Sequence, residues 1–341
     1  MLHFDSDYME TAHPLILKEF SEKTFEQHEG YGFDRYCESA AQKIAKACGK
    51  PDALVKFLVG GTQTNATVID ALLRKFEGVI ATTEGHISGH EAGAIEYNGH
   101  KVLQVHGKEA KLDAAIVSDY MENFFADESY EHMVQPAMVY ISHPTERGTL
   151  YTKDELLALR KVCDQYHLYL YMDGARLGYG LASGGSDLTL KDIAELCDAF
   201  YIGGTKVGAM CGEAVVIPDP KIAPGFFTHI KQHGALIAKG WVLGLQFDVL
   251  FTDDLYMRIA KHAVDMAMIV KKGLTEKGYR FYVDSDTNQQ FVIVSKAEME
   301  RLSEYTTFGF WCKYDEDHTV IRFATSWATK EEDVQALLRI L

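Results

Sequence analysis

The sequence predicts an α/β fold in which a mostly parallel sheet is covered by helices and a smaller C-terminal α+β domain follows. Two observations carry this prediction. Between residues 53 and 217, short apolar runs alternate with helical patterns, which is the rhythm of strand–helix–strand units. Beyond about Pro218 the helical patterns lengthen and only three strand-like runs remain. We therefore expect an N-terminal segment over 1–20, a large domain over 21–245 and a small domain over 246–341.

Local signals support each element in turn. Short runs rich in branched or aromatic residues predict the strands, which span 53–59, 79–83, 101–105, 137–142, 168–172, 199–202, 213–217, 280–283, 290–295 and 320–325. Apolar periodicity, capping residues and glycine stops predict the helices, which run from 13 onward, over 34–48, from 65 to 75, over 112–125, 153–166, 229–250 and 254–278, and from 329 to the end. Thr152 and Thr329 each begin a Thr-x-x-Glu capping box.

The composition is that of a globular protein with an acidic surface. Of 341 residues, 47% are hydrophobic and 24% are charged, and the formal net charge is −15. This charge argues against nucleic-acid binding through a broad basic surface. No apolar run approaches the roughly 20 residues that cross a bilayer, and the six cysteines are scattered without a Cys-x-x-Cys pair. We expect a cytoplasmic enzyme with no nucleic-acid or membrane partner and no bound metal.

An acid and a lysine each follow a buried strand. Asp173 begins Asp-Gly-Ala-Arg after one apolar run, and Lys206 ends Gly-Gly-Thr-Lys after the next. In open α/β sheets, ligands bind at the carboxyl ends of the strands. A carboxylate there can hold a protonated ring nitrogen, and a desolvated lysine can hold an aldehyde covalently. Pyridoxal 5'-phosphate requires both groups, so it is the expected cofactor.

Further residues fit this cofactor, although each also has an ordinary structural explanation. Gly61 and Thr62 open a helix whose free N–H groups suit a phosphate, or they form a simple helix cap. His86 follows another strand and can lie on a ring and move a proton, or it is a surface residue. Arg176 follows Asp173 and suits the cofactor's phenolic oxygen, whereas Arg322 suits a substrate carboxylate. An acid, a lysine, a phosphate-binding turn and a stacking histidine would rarely all follow strands, in a consistent order, by accident, so their combination favours the functional interpretation.

Together these residues resemble the low-specificity L-threonine aldolases over nearly the whole chain. The most specific parts are Met172-Asp-Gly-Ala-Arg176 and Gly203-Gly-Thr-Lys-x-Gly-x-x-x-Gly-Glu213, supported by Pro144-Thr-Glu-Arg-Gly148 and Arg322-Phe-Ala-Thr-Ser-Trp327. That family belongs to the β-eliminating lyase group of pyridoxal-phosphate enzymes with the aspartate aminotransferase fold, fold type I. The resemblance implies a homodimer or homotetramer whose active sites lie between subunits.

The resemblance also implies a role for each matching residue. Lys206 would hold the cofactor, Asp173 its ring nitrogen, Arg176 its oxygen, and Gly61 and Thr62 its phosphate. His86 would stack on the ring and, directly or through a water, take the β-hydroxyl proton in a retro-aldol cleavage to glycine and an aldehyde. Ser6 and Arg322 would hold the substrate carboxylate, whereas Tyr31 and Lys231 would act on a neighbour's site. One departure is Glu146, which stands where some members have a second histidine.

Three other functions remain open at this stage. The chain could be a β-eliminating lyase of fold type I or a decarboxylase-like relative, because the choice of reaction depends on which bond is held perpendicular to the cofactor ring. His86, His90 and Glu91 could ligate a metal in a hydrolase, although Gly85 and Gly89 disfavour a rigid helix there. A cofactor-binding relative that only senses amino acids is the third possibility.

Overall fold

The computed structural model describes residues 1–341 and contains two sheets. The strands are β1 (Leu2–Phe4), β2 (Leu54–Leu58), β3 (Glu77–Thr82), β4 (Lys101–Val105), β5 (Gln135–Ser142), β6 (Tyr169–Asp173), β7 (Ala199–Gly203), β8 (Glu213–Ile217), β9 (Arg280–Val283), β10 (Gln289–Ser295), β11 (Thr306–Lys313) and β12 (His318–Ala324). The helices are α1 (Pro14–Glu22), α2 (Arg35–Ala47), α3 (Gly61–Leu72), α4 (His86–Gly89), α5 (Ala94–Tyr97), α6 (Ala114–Ala126), α7 (Lys153–Tyr166), α8 (Leu177–Ala182), α9 (Leu190–Leu196), α10 (Phe226–Gln232), α11 (Trp241–Leu250), α12 (Leu255–Glu276), α13 (Lys296–Ser303) and α14 (Glu331–Ile340).

The larger sheet has the strand order β2-β8-β7-β6-β5-β3-β4. Its strands run in one direction except β8, which is antiparallel to both of its neighbours. Successive residues of the central strands contribute to two different apolar cores. In β6, Leu170 and Met172 pack into one core and Tyr171 packs into the other. Both faces are therefore covered, and the prediction of a mostly parallel sheet between helices is confirmed.

The smaller sheet has the order β1-β11-β12-β10-β9 and is antiparallel except for β1, which pairs parallel to β11. The three strands expected in this part of the chain are present as β9, β10 and β12. β1 and β11 were not predicted. β1 has only three residues, and Gly309 interrupts the apolar pattern of β11. The first residues of the chain thus belong to the sheet formed by the last third.

Two expectations about the helices are wrong. The single helix expected over 229–250 is two helices, α10 and α11, and the connection between them includes Gly234 at φ +68°. The capping box expected at Thr329 is absent, because the N-cap of α14 is Lys330 and the Thr329 hydroxyl instead accepts the N–H of Ser326 at 2.8 Å. The capping box at Thr152, by contrast, is confirmed. None of the helices has the length and apolar character to span a membrane.

Candidate active site

A cavity of about 320 Å³ opens at the carboxyl ends of three neighbouring parallel strands. Ser142 ends β5, Asp173 ends β6, and Lys206 comes soon after β7. This is the edge at which an open α/β sheet binds its ligands. Of the residues predicted for the site, those that line the cavity are Gly61, Thr62, His86, Asp173, Arg176 and Lys206.

The turns that carry Asp173 and Lys206 pack directly against each other. A Cβ atom on Gly174 would lie 1.9 Å from the carbonyl oxygen of Tyr201, and one on Gly203 would lie 2.3 Å from that of Ala175. No real side chain approaches backbone so closely, so both positions require glycine. The glycines of the two motifs therefore allow the acid and the lysine to leave adjacent strands side by side.

Asp173 is a buried carboxylate held by four donors. Oδ2 accepts hydrogen bonds from Tyr140 Oη at 2.7 Å and Asn65 Nδ2 at 3.0 Å, and Oδ1 accepts from the Tyr201 hydroxyl and from the N–H of Ala175 at 2.9 Å. Burial raises the pKa of Asp173, but the nearby His86 charge and these hydrogen bonds outweigh it, so the net shift is downward. The cavity thus contains a fixed negative charge.

Lys206 is a buried amine whose pKa is lowered, first by burial and then by the charge of Arg176. The charges of Asp7 and Asp173 oppose this shift only partly. Its Nζ lies 5.9 Å from the centre of the Tyr8 ring, and its backbone carbonyl accepts the Tyr179 hydroxyl. A lowered pKa increases the fraction of free amine, which is the form that attacks a carbonyl.

His86 begins the short helix α4 and is oriented by a buried acid. Its Nδ1 lies 2.7 Å from Oε1 of Glu91, and this Glu91 oxygen also accepts Asn65 Nδ2 at 2.7 Å. Burial lowers the pKa of His86. The hydrogen bond with Glu91 and the charge of Asp173 raise it by more, so the net shift of the pKa is upward. The ring remains partly exposed and faces the cavity.

The first turn of α3 lies at the cavity with its backbone N–H groups unpaired. Gly60, its N-cap, offers no side-chain hydrogen bond, so the N–H groups of the first turn have no partner within the helix. Gly61 and Thr62 face the cavity there. Near the other end of α3, the Asp70 carboxylate lies 3.2 Å from Nε2 of His100, just before β4, and 3.0 Å from Nε2 of His233, just after α10. These contacts hold α3 against both elements. The helix dipole adds to the attraction for an anion.

Arg176 lies in the cavity wall but is already paired with a second acid. Its Nε lies 2.6 Å from Asp7 Oδ2 and its Nη2 lies 2.9 Å from Asp7 Oδ1. Asp7 is fully buried and also accepts Asn288 Nδ2 at 2.9 Å. The guanidinium is thereby held in one orientation by the N-terminal segment.

The two residues predicted for a substrate carboxylate do not line the cavity. Arg322, on β12, donates through Nη1 to Gln289 Oε1 at 2.9 Å and through Nη2 to the carbonyl of Asp5 at 2.7 Å. Its Nε and the hydroxyl of Ser6 are both buried without a hydrogen-bond partner. Buried polar atoms are rarely left unpaired, so these two are available to a further group.

Tyr31 also lies away from the cavity. It adopts φ +60°, is 43% exposed, and lines a separate cavity of about 290 Å³ near α2. The Nζ of Lys231 lies 4.7 Å from the centre of its ring. The two residues expected to act together are thus in contact, but they do not lie in the cavity of their own chain.

Comparisons with known proteins agree with this geometry. The model of the beta-eliminating lyase family matches residues 4–297. The chain belongs to the beta-eliminating lyase family. A low specificity L-threonine aldolase from a Pseudomonas species is 30% identical over 329 residues, covering 93% of this chain and 90% of its own. The structure of Leishmania major threonine aldolase is 42% identical, with a TM-score of 0.96 over 100% of this chain and 98% of that one.

More distant structures support the fold of this beta-eliminating lyase. An aspartate aminotransferase variant from Thermus thermophilus has a TM-score of 0.73 at 16% identity, covering 100% of this chain and 92% of its own. The expected architecture, fold type I of the pyridoxal-phosphate enzymes, is therefore confirmed. The cavity fits that cofactor, because it combines a charged carboxylate, an amine of lowered pKa and a helix N-terminus suited to phosphate.

Several residues that hold Asp173 or line the cavity of this beta-eliminating lyase were not predicted from the sequence. Asn65, Tyr140 and Tyr201 converge on Asp173 from three different elements, and nothing in their local sequence marks them. Glu213 also lines the cavity, where burial raises its pKa to about 8. Its place at the end of the second glycine motif is the sequence signal that marks it.

Proposed function

We propose that the protein is a pyridoxal-phosphate-dependent aldolase that cleaves L-threonine, L-allo-threonine or related L-3-hydroxy amino acids to glycine and an aldehyde. The observation that carries this proposal is one cavity that contains Lys206, the charged Asp173 and the open N-terminus of α3. The similarity to low specificity L-threonine aldolases over the length of the chain supports the reaction.

In this proposal the cavity residues hold the cofactor at several points. Lys206 would bond its aldehyde, Asp173 would hold its ring nitrogen, and Gly61 and Thr62 would hold its phosphate through backbone N–H groups. His86, fixed by Glu91, would pack against its ring, and Arg176, fixed by Asp7, would bind its phenolic oxygen. When bound, the cofactor supplies a sink for the electron pair released at the substrate α-carbon.

The substrate is held by its carboxylate. The planar guanidinium of Arg322 suits a carboxylate, and its Nε and the Ser6 hydroxyl are two buried groups without partners. Aligning the Cα–Cβ bond requires this second anchor, because one covalent attachment leaves the substrate free to rotate. Loss of the β-hydroxyl proton then drives release of the aldehyde.

Subunit assembly is part of the same proposal. Tyr31 and Lys231 contact each other away from their own chain's cavity, which supports a role in the site of a neighbouring subunit. We therefore propose a homodimer or homotetramer. The enzyme would work in the cytoplasm and provide glycine in amino-acid metabolism.

A second candidate reaction keeps the fold and the cofactor. The family match favours β-elimination as the alternative, in which a small or aromatic amino acid loses its β-substituent. Incubation of the purified protein with L-threonine distinguishes the two reactions. Equal amounts of glycine and acetaldehyde support the aldolase, whereas ammonia and a keto acid without glycine support the eliminating lyase.

A further inference from the structure

Glu146 is a carboxylate in the cavity wall that the reaction described above does not yet use. It follows β5 and lines the cavity together with His86 and Lys206. Oε1 accepts the N–H of His86 at 2.9 Å and the Ser142 hydroxyl at 2.6 Å. Oε2 makes no hydrogen bond within the chain and keeps some accessible surface. The side chain is therefore fixed through one oxygen and open to the cavity through the other.

Glu146 forms no ion pair with an arginine or a lysine. The adjacent Arg147 points elsewhere, since its Nη2 lies 2.7 Å from Oε1 of Glu84 and its guanidinium lies 5.1 Å from the centre of the Tyr282 ring. Burial raises the pKa of Glu146 to about 7. A carboxyl group with that value exchanges a proton readily near neutral pH, which is the property required of a general acid or base.

Glu146 is also connected to Asp173 through side chains. The Ser142 hydroxyl lies 2.6 Å from Glu146 Oε1 and 3.3 Å from Tyr140 Oη, and Tyr140 Oη donates to Asp173 Oδ2 at 2.7 Å. Ser142 has one proton, which it donates to Glu146 when the carboxylate is charged and can donate to Tyr140 when Glu146 is protonated. The protonation state of Glu146 is thus linked to the hydrogen bonding of Asp173.

We propose that Glu146 is the catalytic base that accepts the β-hydroxyl proton of the substrate through Oε2, and that Ser142 and the His86 N–H are its positioning groups. This role rests on the proposed function. His86 is less suited to accept that proton, because Nδ1 is engaged by Glu91 and the net shift of its pKa is upward.

The proton transfer balances without a further reactant. The hydroxyl proton moves to Glu146 Oε2, and the electron pair of the O–H bond becomes the second C–O bond of the aldehyde. The Cα–Cβ bond breaks, and its electron pair stays with the α-carbon. The α-carbon then takes up a proton from solvent to give glycine, and the Glu146 carboxyl group releases its proton to solvent, so Glu146 ends each cycle as it began.

The surroundings of Glu146 determine the expected pH dependence. The charge of His86, on α4, lowers the pKa of Glu146, and the charge of Asp173, on β6, raises it. The charge of Glu146 in turn raises the pKa of Tyr140 and of Tyr151. A base must be deprotonated, so kcat/KM for cleavage should rise with pH through about 7. The Ser142 hydrogen bond lowers the pKa, so Ser142→Ala should move this limb to higher pH.

The decisive variant is Glu146→Gln, which keeps an oxygen for Ser142 and the His86 N–H but cannot accept a proton. Two reactions of the holoenzyme are compared, cleavage of L-threonine and exchange of the glycine α-proton in D2O followed by NMR. Glycine has no β-hydroxyl. We expect kcat for cleavage to fall at least about 100-fold and its acid limb to vanish, while α-proton exchange stays within about threefold of wild type. Glu128→Gln, an exposed carboxylate without partners, is the matched control.

A binding measurement separates this role from a structural one. Glycine affinity, followed by the absorbance of the bound cofactor, should be the same in wild type and Glu146→Gln. Parallel losses of cleavage, exchange and affinity would overturn the proposal, as would unchanged cleavage by Glu146→Gln. If the wild type releases glycine from no 3-hydroxy amino acid, the proposed function itself fails, which the wild-type assay shows before any variant is made.

Discussion

Arg176 and Asp7, 169 residues apart, form a two-point ion pair with N–O distances of 2.6 and 2.9 Å. Arg176 follows a strand of the larger sheet, whereas Asp7 follows β1 of the smaller sheet. Asp7 also accepts Asn288 Nδ2, next to β10. One buried carboxylate therefore joins the two sheets at the cavity, so the stability of the protein and the geometry of the site depend on the same pair.

Substitution of Asp7 by Ala should strongly destabilise the protein. It leaves the Arg176 charge buried without a partner, which costs about 3–5 kcal/mol. Denaturant unfolding measures the loss. Asp119→Ala, at an exposed carboxylate without an ion pair, should change the free energy of unfolding by no more than about 0.5 kcal/mol. Equal stabilities of the two variants would contradict the role assigned to the pair.

The contribution of Asp7 to stability should depend on pH with a definite sign. Burial raises its pKa, but the charges of Arg176 and Lys206 outweigh this and hold the pKa well below the ordinary value of 3.8. Such a group stabilises the folded protein fully above its unfolded pKa, and the contribution is lost as pH falls through the folded value. The difference in unfolding free energy between wild type and Asp7→Asn should be constant near neutral pH and shrink below about pH 4.

Lys206 should carry the cofactor. After borohydride treatment, peptide mapping should find the pyridoxyl group on the peptide that contains Lys206, because its amine is buried, of lowered pKa and adjacent to Asp173. Lys206→Ala should lack turnover. Lys191→Ala, at an exposed position on α9, should still carry the pyridoxyl group on Lys206, as the wild type does. A pyridoxyl group on any other lysine would refute the assignment.

The sequence was sufficient where function is marked locally. Asp173 and Lys206 each follow an apolar run and stand among glycines that cannot carry a side chain, so both their positions at the sheet edge and their proximity were predictable. The alternating pattern between 53 and 217 likewise predicted the larger sheet, because both faces of its strands are apolar.

Long-range contacts explain what the sequence did not reveal. Asn65 reaches Asp173 across 108 residues and Tyr201 reaches it across 28, and neither has a local signature of that role. β1 has only three residues and exists because β11, about 300 residues later, pairs with it. Local propensity contains no information about such pairings, so the sequence alone does not predict that the first residues pair with the C-terminal sheet.

Arg322 should determine substrate affinity more than turnover. A charge-assisted hydrogen bond to a carboxylate contributes about 1.5–3 kcal/mol, so Arg322→Ala should raise KM for L-threonine roughly 10- to 100-fold with a smaller change in kcat. Because Arg322 also bonds Gln289 and Asp5, thermal unfolding must accompany the kinetics. Arg280→Ala, at an exposed arginine of the same sheet, is the control. An unchanged KM in a folded Arg322→Ala protein would remove Arg322 from the site.

Tyr31 should act on the site of a neighbouring subunit. Tyr31→Ala should then lose most activity, although Tyr31 does not line the active-site cavity of its own chain. Lys206→Ala should also be inactive. Mixing the two inactive variants under conditions that exchange subunits should restore about a quarter of the wild-type activity, because half of the dimers are mixed and each has one intact site.

The control for this experiment is a mixture of Lys206→Ala with Asp173→Asn. Both residues lie in the cavity of one chain, so every site in the mixed dimer keeps one defect and no activity should return. If the Tyr31→Ala mixture gains no more activity than this control, Tyr31 serves only its own chain. If Tyr31→Ala is fully active alone, the residue is outside the catalytic machinery, and its contact with Lys231 stabilises only the connection before α11.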